Sequence, residues 1–194
     1  DIFLQQIING LVLGSVYALV ALGYTMVYGI IELINFAHGE VTMTGALVAL
    51  SAIGAVALGM PGLPGVLMLA AGLALAIPVC VALGLLIERV AYRPLRNAPR
   101  LAPLITAIGV SIILQNVAML IWGKQYISFP PVLPQGSYEI LGAHITDVQI
   151  AILVLTLLIM LGLILVVQKT RLGRAMRATA QSRQVASLMG VDVN

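Results

Sequence analysis

Charge is what this chain has least of. Only 9% of its 194 residues are charged, against roughly 25% in soluble domains, so an ordinary water-solvated surface is excluded. Aromatic residues make up 5%. None interleaves with basic residues in the way that stacks bases, so no nucleic-acid partner is expected. The single cysteine, Cys80, lies within an apolar run and excludes an intrachain disulfide. Only two histidines occur, and neither belongs to an HExxH zinc motif. No phosphate-binding GxxxxGK[ST] and no nucleophile–base arrangement is present, so nothing points to catalysis by the chain itself. A basic stretch ahead of the first apolar run is also missing, and that run is too long for a cleavable signal. It is expected to insert and stay.

What is abundant is hydrocarbon: 61% of the residues are hydrophobic. They fall into five runs, at 7–28, 41–58, 66–87, 102–122 and 149–168. Each has about 20 residues, enough to cross ~30 Å of hydrocarbon as a helix. The expected fold class is all-α, a polytopic transmembrane helix bundle. Nine of the ten basic residues stand in two clusters: Arg89, Arg93, Arg96 and Arg100, then Lys169, Arg171, Arg174, Arg177 and Arg183. Basic loops stay on the cytoplasmic side. Both clusters are therefore expected inside, with residue 194. The N-terminus, the turn at 59–65 and the connection at 124–148 are expected outside.

Small residues recur at helical spacing: Gly10, Gly14 and Ala18; Gly45, Ala49 and Ala52; Gly72, Ala76, Cys80 and Gly84. Such stripes let helix backbones approach closely in lipid. Pro78 is expected to kink the third span. The fifth span is nearly featureless, as for a lipid-facing helix. In the outer connection Pro130, Pro131, Pro134 and Gly136 precede a stretch that predicts a short hairpin around Leu141-Gly142. The connection is long for a bare link, which suggests a docking surface. His144 is expected to face solvent.

The polar residues within this apolar chain are the functional candidates. Asn35-Phe36-Ala37-His38-Gly39-Glu40 follows Glu32 and leads into the second span. This inside connection carries no Lys or Arg and is apolar at Ile30, Ile31, Leu33, Ile34 and Phe36. A re-entrant or broken helix near 30–40 is one reading; a helix–helix corner with its polar groups satisfied is the other. His38 and Glu40 are two residues apart and do not share a helix face, which speaks against a metal pair. Tyr17, Tyr24 and Tyr28 share one face of the first span. Tyr24 and Tyr28 suit an interfacial belt; Tyr17 is deeper, and its hydroxyl needs a partner in another helix or in a solute. Ser111 and Gln115 stand at i and i+4 beside Asn116, either bonding between helices or lining a polar path. Tyr17, Glu32, Asn35, His38, Glu40, Gln115 and Asn116 are the candidates for a solute path.

After Lys169 the chain reads RLGRAMRATAQSRQVASLMGVDVN. Ala180, Ala186 and Met189 suggest the apolar side of an amphipathic helix, with imperfect periodicity. A basic helix lying on anionic lipid and a partner-docking helix are both open. The stretch resembles the coupling loop of ABC importer permeases, in which Glu-Ala-Ala is followed by three residues and Gly. Ala186 and Gly190 match; Gln184 and Val185 depart. NGLVLGSVYALVALGYTMVYGIIELINFAHGE resembles the start of the branched-chain amino-acid permeases of the LivH type. IERVAYRPLRNAPRLAPLITAIGVSIILQN resembles their next cytoplasmic loop and span, and the run from Gly173 to Gly190 is similar too.

The resemblance implies a permease domain over 1–194, partial, with a cytoplasmic coupling segment at 169–190. Further spans would follow, this stretch being roughly the first two-thirds. It implies a bacterial inner membrane protein and a second, LivM-like permease subunit. Two ABC ATPase subunits would supply ATP and Mg, this chain binding no cofactor, and a periplasmic binding protein would deliver leucine, isoleucine or valine. Gly173, Arg174, Arg177, Ala178, Ala186 and Gly190 would couple to the ATPases. Urea or short-amide uptake is the near alternative. A membrane-embedded enzyme using His38 and Glu40, or a self-sufficient channel or carrier, are the remoter ones.

Overall fold

The computed structural model describes residues 2–31, 35–95, 98–99, 101–133, 136–140 and 142–190. Among the described residues five helices are long and apolar enough to cross a membrane: α1 (Ile2–Ile31), α2 (His38–Gly59), α3 (Gly65–Ile87), α4 (Leu101–Trp122) and α5 (Asp147–Lys169). They match the five expected spans, so the protein is an all-α, multi-pass membrane protein with one small hairpin. Aliphatic side chains such as Leu73, Ile113, Leu120 and Leu158 stand exposed on these helices. Lipid is as apolar as leucine, so such faces need no protein cover. The chain divides into two compact units, one of residues 1–34 and 135–194, the other of residues 35–134.

In the second unit α2 packs on α3 through two of the small-residue stripes. A Cβ on Gly72 would lie 3.0 Å from Ile53 and 3.2 Å from the Ala49 carbonyl. One on Gly45 would lie 2.6 Å from the Cys80 sulfur. A side chain at Gly45 would displace the Cys80 sulfur and one at Gly72 would press on Ile53 and the Ala49 carbonyl, so both glycines favour the close approach of the two helices. Gly84, by contrast, meets open space. Pro78 lies inside α3, which stays helical to Ile87. The helix then widens into a π turn over Glu88–Tyr92 and tightens to a 3-10 turn over Arg93–Leu95. Pro94, which lacks the N–H that would continue the ladder, accounts for the ending. Part of the connection between α4 and α5 lies on the start of α3, because Gly65 abuts the Val132 carbonyl.

In the first unit α1 contacts α5 and the hairpin. Strands β1 (Ser137–Ile140) and β2 (Ala143–Thr146) pair antiparallel with Ile140 opposite Ala143. Gly142 turns at φ 80°, so the hairpin falls where it was expected; Leu141 lies outside the described residues. The Gln5 amide holds β2 from both sides: Nε2 donates to the His144 carbonyl at 3.0 Å, and the His144 N–H donates to Oε1 at 2.7 Å. Asn9 Oδ1 accepts from Gln5 and, at 3.2 Å, from Gln149 Nε2. Thr146 and Gln149 form a capping box that starts α5. The stripe in α1 behaves differently from those in α2 and α3: Gly10 and Gly14 have no neighbour among the described residues.

The segment after Lys169 forms two helices, α6 (Arg171–Gln181) and α7 (Arg183–Leu188). The reading as one amphipathic helix is corrected here. Ser182 is extended and caps α7 by accepting the Val185 N–H. The break explains the imperfect periodicity: Ala186 is buried, whereas Ala180 and Met189 are exposed.

Candidate functional site

Two places concentrate the chemistry. The first is a polar cluster in the second unit. Helix α2 begins at His38, earlier than the apolar run suggested, so His38, Gly39 and Glu40 form its first turn. Here Glu40 is favourably placed near the positive end of the helix dipole. Its Oε1 accepts from Ser111 Oγ at 3.1 Å and from Gln115 Nε2 at 2.6 Å, both on α4. The i, i+4 spacing of Ser111 and Gln115 presents both donors on one helix face. Higher up α2, Trp122 Nε1 donates to Ser51 Oγ at 2.7 Å. Polar bonds thus join α2 to α4, where the α2–α3 seam uses close packing.

Asn35 ties the entry of α2 to the π turn after α3. Its Oδ1 accepts the Ala37 N–H at 3.0 Å and the Tyr92 hydroxyl at 2.7 Å. His38 is half-buried and engaged in an interaction of its own. Of the seven path candidates, the structure joins Glu40 to Gln115 and places Asn35 and His38 within five residues of Glu40 along the chain. Asn116 turns away: its Nδ2 donates to the Ile112 carbonyl of its own helix at 2.7 Å. Tyr17 belongs to the first unit, on α1, where it is exposed and its hydroxyl has no partner among the described residues. Glu32 lies outside the described residues. Tyr92 and Ser51 went unnoticed in the sequence, and Ser111 was noticed without being counted among the path residues. Their only signal was a hydroxyl within an apolar run. Among the described residues no three His, Cys, Asp or Glu side chains come together as a metal site.

The second place is the turn from α5 into α6 and α7. Thr170 caps α6 by accepting the Gly173 N–H at 3.1 Å. Gly173 is buried against the Val166 and Val167 carbonyls, so a side chain there would collide with backbone. Arg177 Nη1 donates to the Val167 carbonyl at 2.7 Å. A cation on the last turn of α5 satisfies an orphan acceptor and suits the helix dipole. Arg174 is exposed and Ala178 half-buried. In α7, Ala186 is only 2% exposed. Gly190 ends the helix at φ 81°, its N–H donating to the Ser187 carbonyl at 3.1 Å. Around these, Val185, Leu188 and Met189 are exposed. A short helix with apolar side chains exposed thus follows a tightly bonded turn from α5 into α6.

The model of the branched-chain amino acid transport system permease component family matches residues 6–194. The chain is 50% identical to the high-affinity branched-chain amino acid transport system permease protein BraD of Pseudomonas aeruginosa, the match covering 99% of this chain and 64% of BraD. It is 48% identical to the corresponding permease protein LivH of Escherichia coli K12, over 99% of this chain and 63% of LivH. LivH of Salmonella typhimurium is also 48% identical, over the same shares. The chain therefore spans somewhat less than two thirds of the length of these relatives. No solved structure matches it.

Proposed function

The chain belongs to the family of branched-chain amino acid transport system permease components, and from that premise we propose that it serves as the membrane-spanning permease of an ATP-driven importer of leucine, isoleucine and valine. The relatives are named as permease proteins of such systems. The structural observation that best supports the reading is the turn at 169–190. The tight Gly173 contact and the Arg177 bond fix α6 on the end of α5. Motion imposed on α7 would pass into a membrane-spanning helix rather than dissipate in a loop. The exposed Val185, Leu188 and Met189 suit insertion into a groove of an ATPase subunit.

In this reading the two basic clusters lie on the cytoplasmic side of a bacterial inner membrane, and the hairpin faces the delivering binding protein. ATP and Mg act in two ATPase subunits, and a second permease subunit completes the path. The chain carries out no covalent chemistry. ATP binding draws the ATPases together, α7 follows, and the path switches from one face to the other. Gly173, Arg174, Arg177 and Ala178 hold the lever, while Ala186 and Gly190 shape its tip. In the second unit Asn35, His38, Glu40 and Gln115 provide polar groups that a solute meets; in the first unit Tyr17 does.

Purification of the full-length chain from native membranes in mild detergent, with mass spectrometry of its companions, tests the assembly. An ATPase pair and a second permease are expected. Recovery of the chain alone, still conducting or catalysing when reconstituted, contradicts the reading.

A further inference from the structure

We propose that Glu40, held by Ser111 and Gln115, receives the α-ammonium group of the translocated amino acid and so selects zwitterionic over neutral solutes. The inference rests on the reading above that the solute is a branched-chain amino acid.

A carboxylate offers about four lone-pair sites on two oxygens. Both observed donors, Ser111 Oγ and Gln115 Nε2, fall on Oε1. Oε2 meets no donor among the described residues. Glu40 is half-buried on a membrane-spanning helix, where an ionisable group is costly unless paired. Gln115 adds to the pair: one N–H of its Nε2 goes to Glu40, and its carbonyl oxygen remains an acceptor at an exposed residue. The pair thus carries two acceptors beside the Glu40 charge, which repels an anion. A neutral amide could donate hydrogen bonds but would leave the charge uncompensated. An ammonium has three donors and the compensating charge.

Ser111 and Gln115 act as positioning residues. By bonding Oε1 they hold the carboxylate at the α2–α4 seam. The arrangement resists collapse because α2 is braced at Asn35 by Tyr92 and at Ser51 by Trp122. Nothing in either bond depends on a solute.

The test uses the complete importer, with the full-length chain and its partners, in proteoliposomes supplied with loaded binding protein and radiolabelled leucine. Glu40→Gln keeps an acceptor for Ser111 and Gln115 while removing the charge. A purely structural role predicts unchanged uptake. The proposal predicts a fall of about tenfold or more, as for loss of a charged hydrogen bond. Glu40→Asp should retain much more uptake than Glu40→Gln. Ser111→Ala should weaken uptake alone and add little in combination with Glu40→Gln, because both act on one contact. Uptake by Glu40→Gln within about twofold of the parent overturns the proposal. So does an equal loss in Glu40→Asp, which removes charge as the determinant. Loss of the second permease from Glu40→Gln preparations also overturns it, since Oε2 would then belong to a subunit contact. If the parent importer moves urea and not leucine, the solute reading fails instead, and this inference falls with it.

Discussion

Gly190 shows how much one residue can carry. Its φ of 81° lies in the left-handed region, which costs a residue with a Cβ roughly 1–2 kcal/mol. Space is not the constraint, because nothing lies within 4 Å of a Cβ built there. The two effects can be separated. Gly190→Ala should lower the ATPase stimulation given by loaded binding protein several-fold, with subunit co-purification intact. Gly190→Asn should lose less, since asparagine tolerates this conformation better. Equal stimulation in all three proteins would show that the end of α7 plays no part in coupling. At this scale the sequence was informative about identity and poor about partners. Gly190 was selected by resemblance alone, and its backbone conformation could not be read from it; Ala186 had also been placed on an apolar side, and it is buried. Glu40 and Gln115 were each suspect as polar residues in apolar runs. That they meet depends on the register of α2 against α4, which no local pattern encodes.

Elements were far more legible. Hydrocarbon thickness imposes a length on each apolar run, and all five runs became helices within a few residues of their expected ends. The hairpin was legible for another local reason, a glycine at a turn position that takes positive φ. The break between α6 and α7 was not legible, because Ser182 reads equally as a helix residue or as a cap. The stripes were legible as packing faces without their partners. Gly72 and Gly45 meet Ile53 and Cys80, whereas Gly10 and Gly14 meet nothing described. The seam can be tested directly. Gly72→Leu should destabilise the solubilised complex by about 1–3 kcal/mol through overpacking, read as a fall in thermal midpoint. Adding Ile53→Ala should recover part of the loss, because the two side chains compete for one volume. An unchanged midpoint in Gly72→Leu would mean that α2 and α3 do not pack this way in the membrane.

Across the whole molecule, transport depends on orientation and on drive. The basic clusters predict that 169–190 faces the cytoplasm and 124–148 the outside. In a Cys80→Ala background, a cysteine at Lys124 should react with a membrane-impermeant maleimide on intact spheroplasts. A cysteine at Gln181 should react only after permeabilisation. The reverse pattern would put α7 on the wrong side for any ATPase. The most direct measurement is leucine uptake by proteoliposomes holding the full-length chain with its co-purified partners. The account predicts that leucine accumulates only with ATP on the α7 side and loaded binding protein on the other. Leucine movement that needs neither, or accumulation of urea in its place, would contradict it.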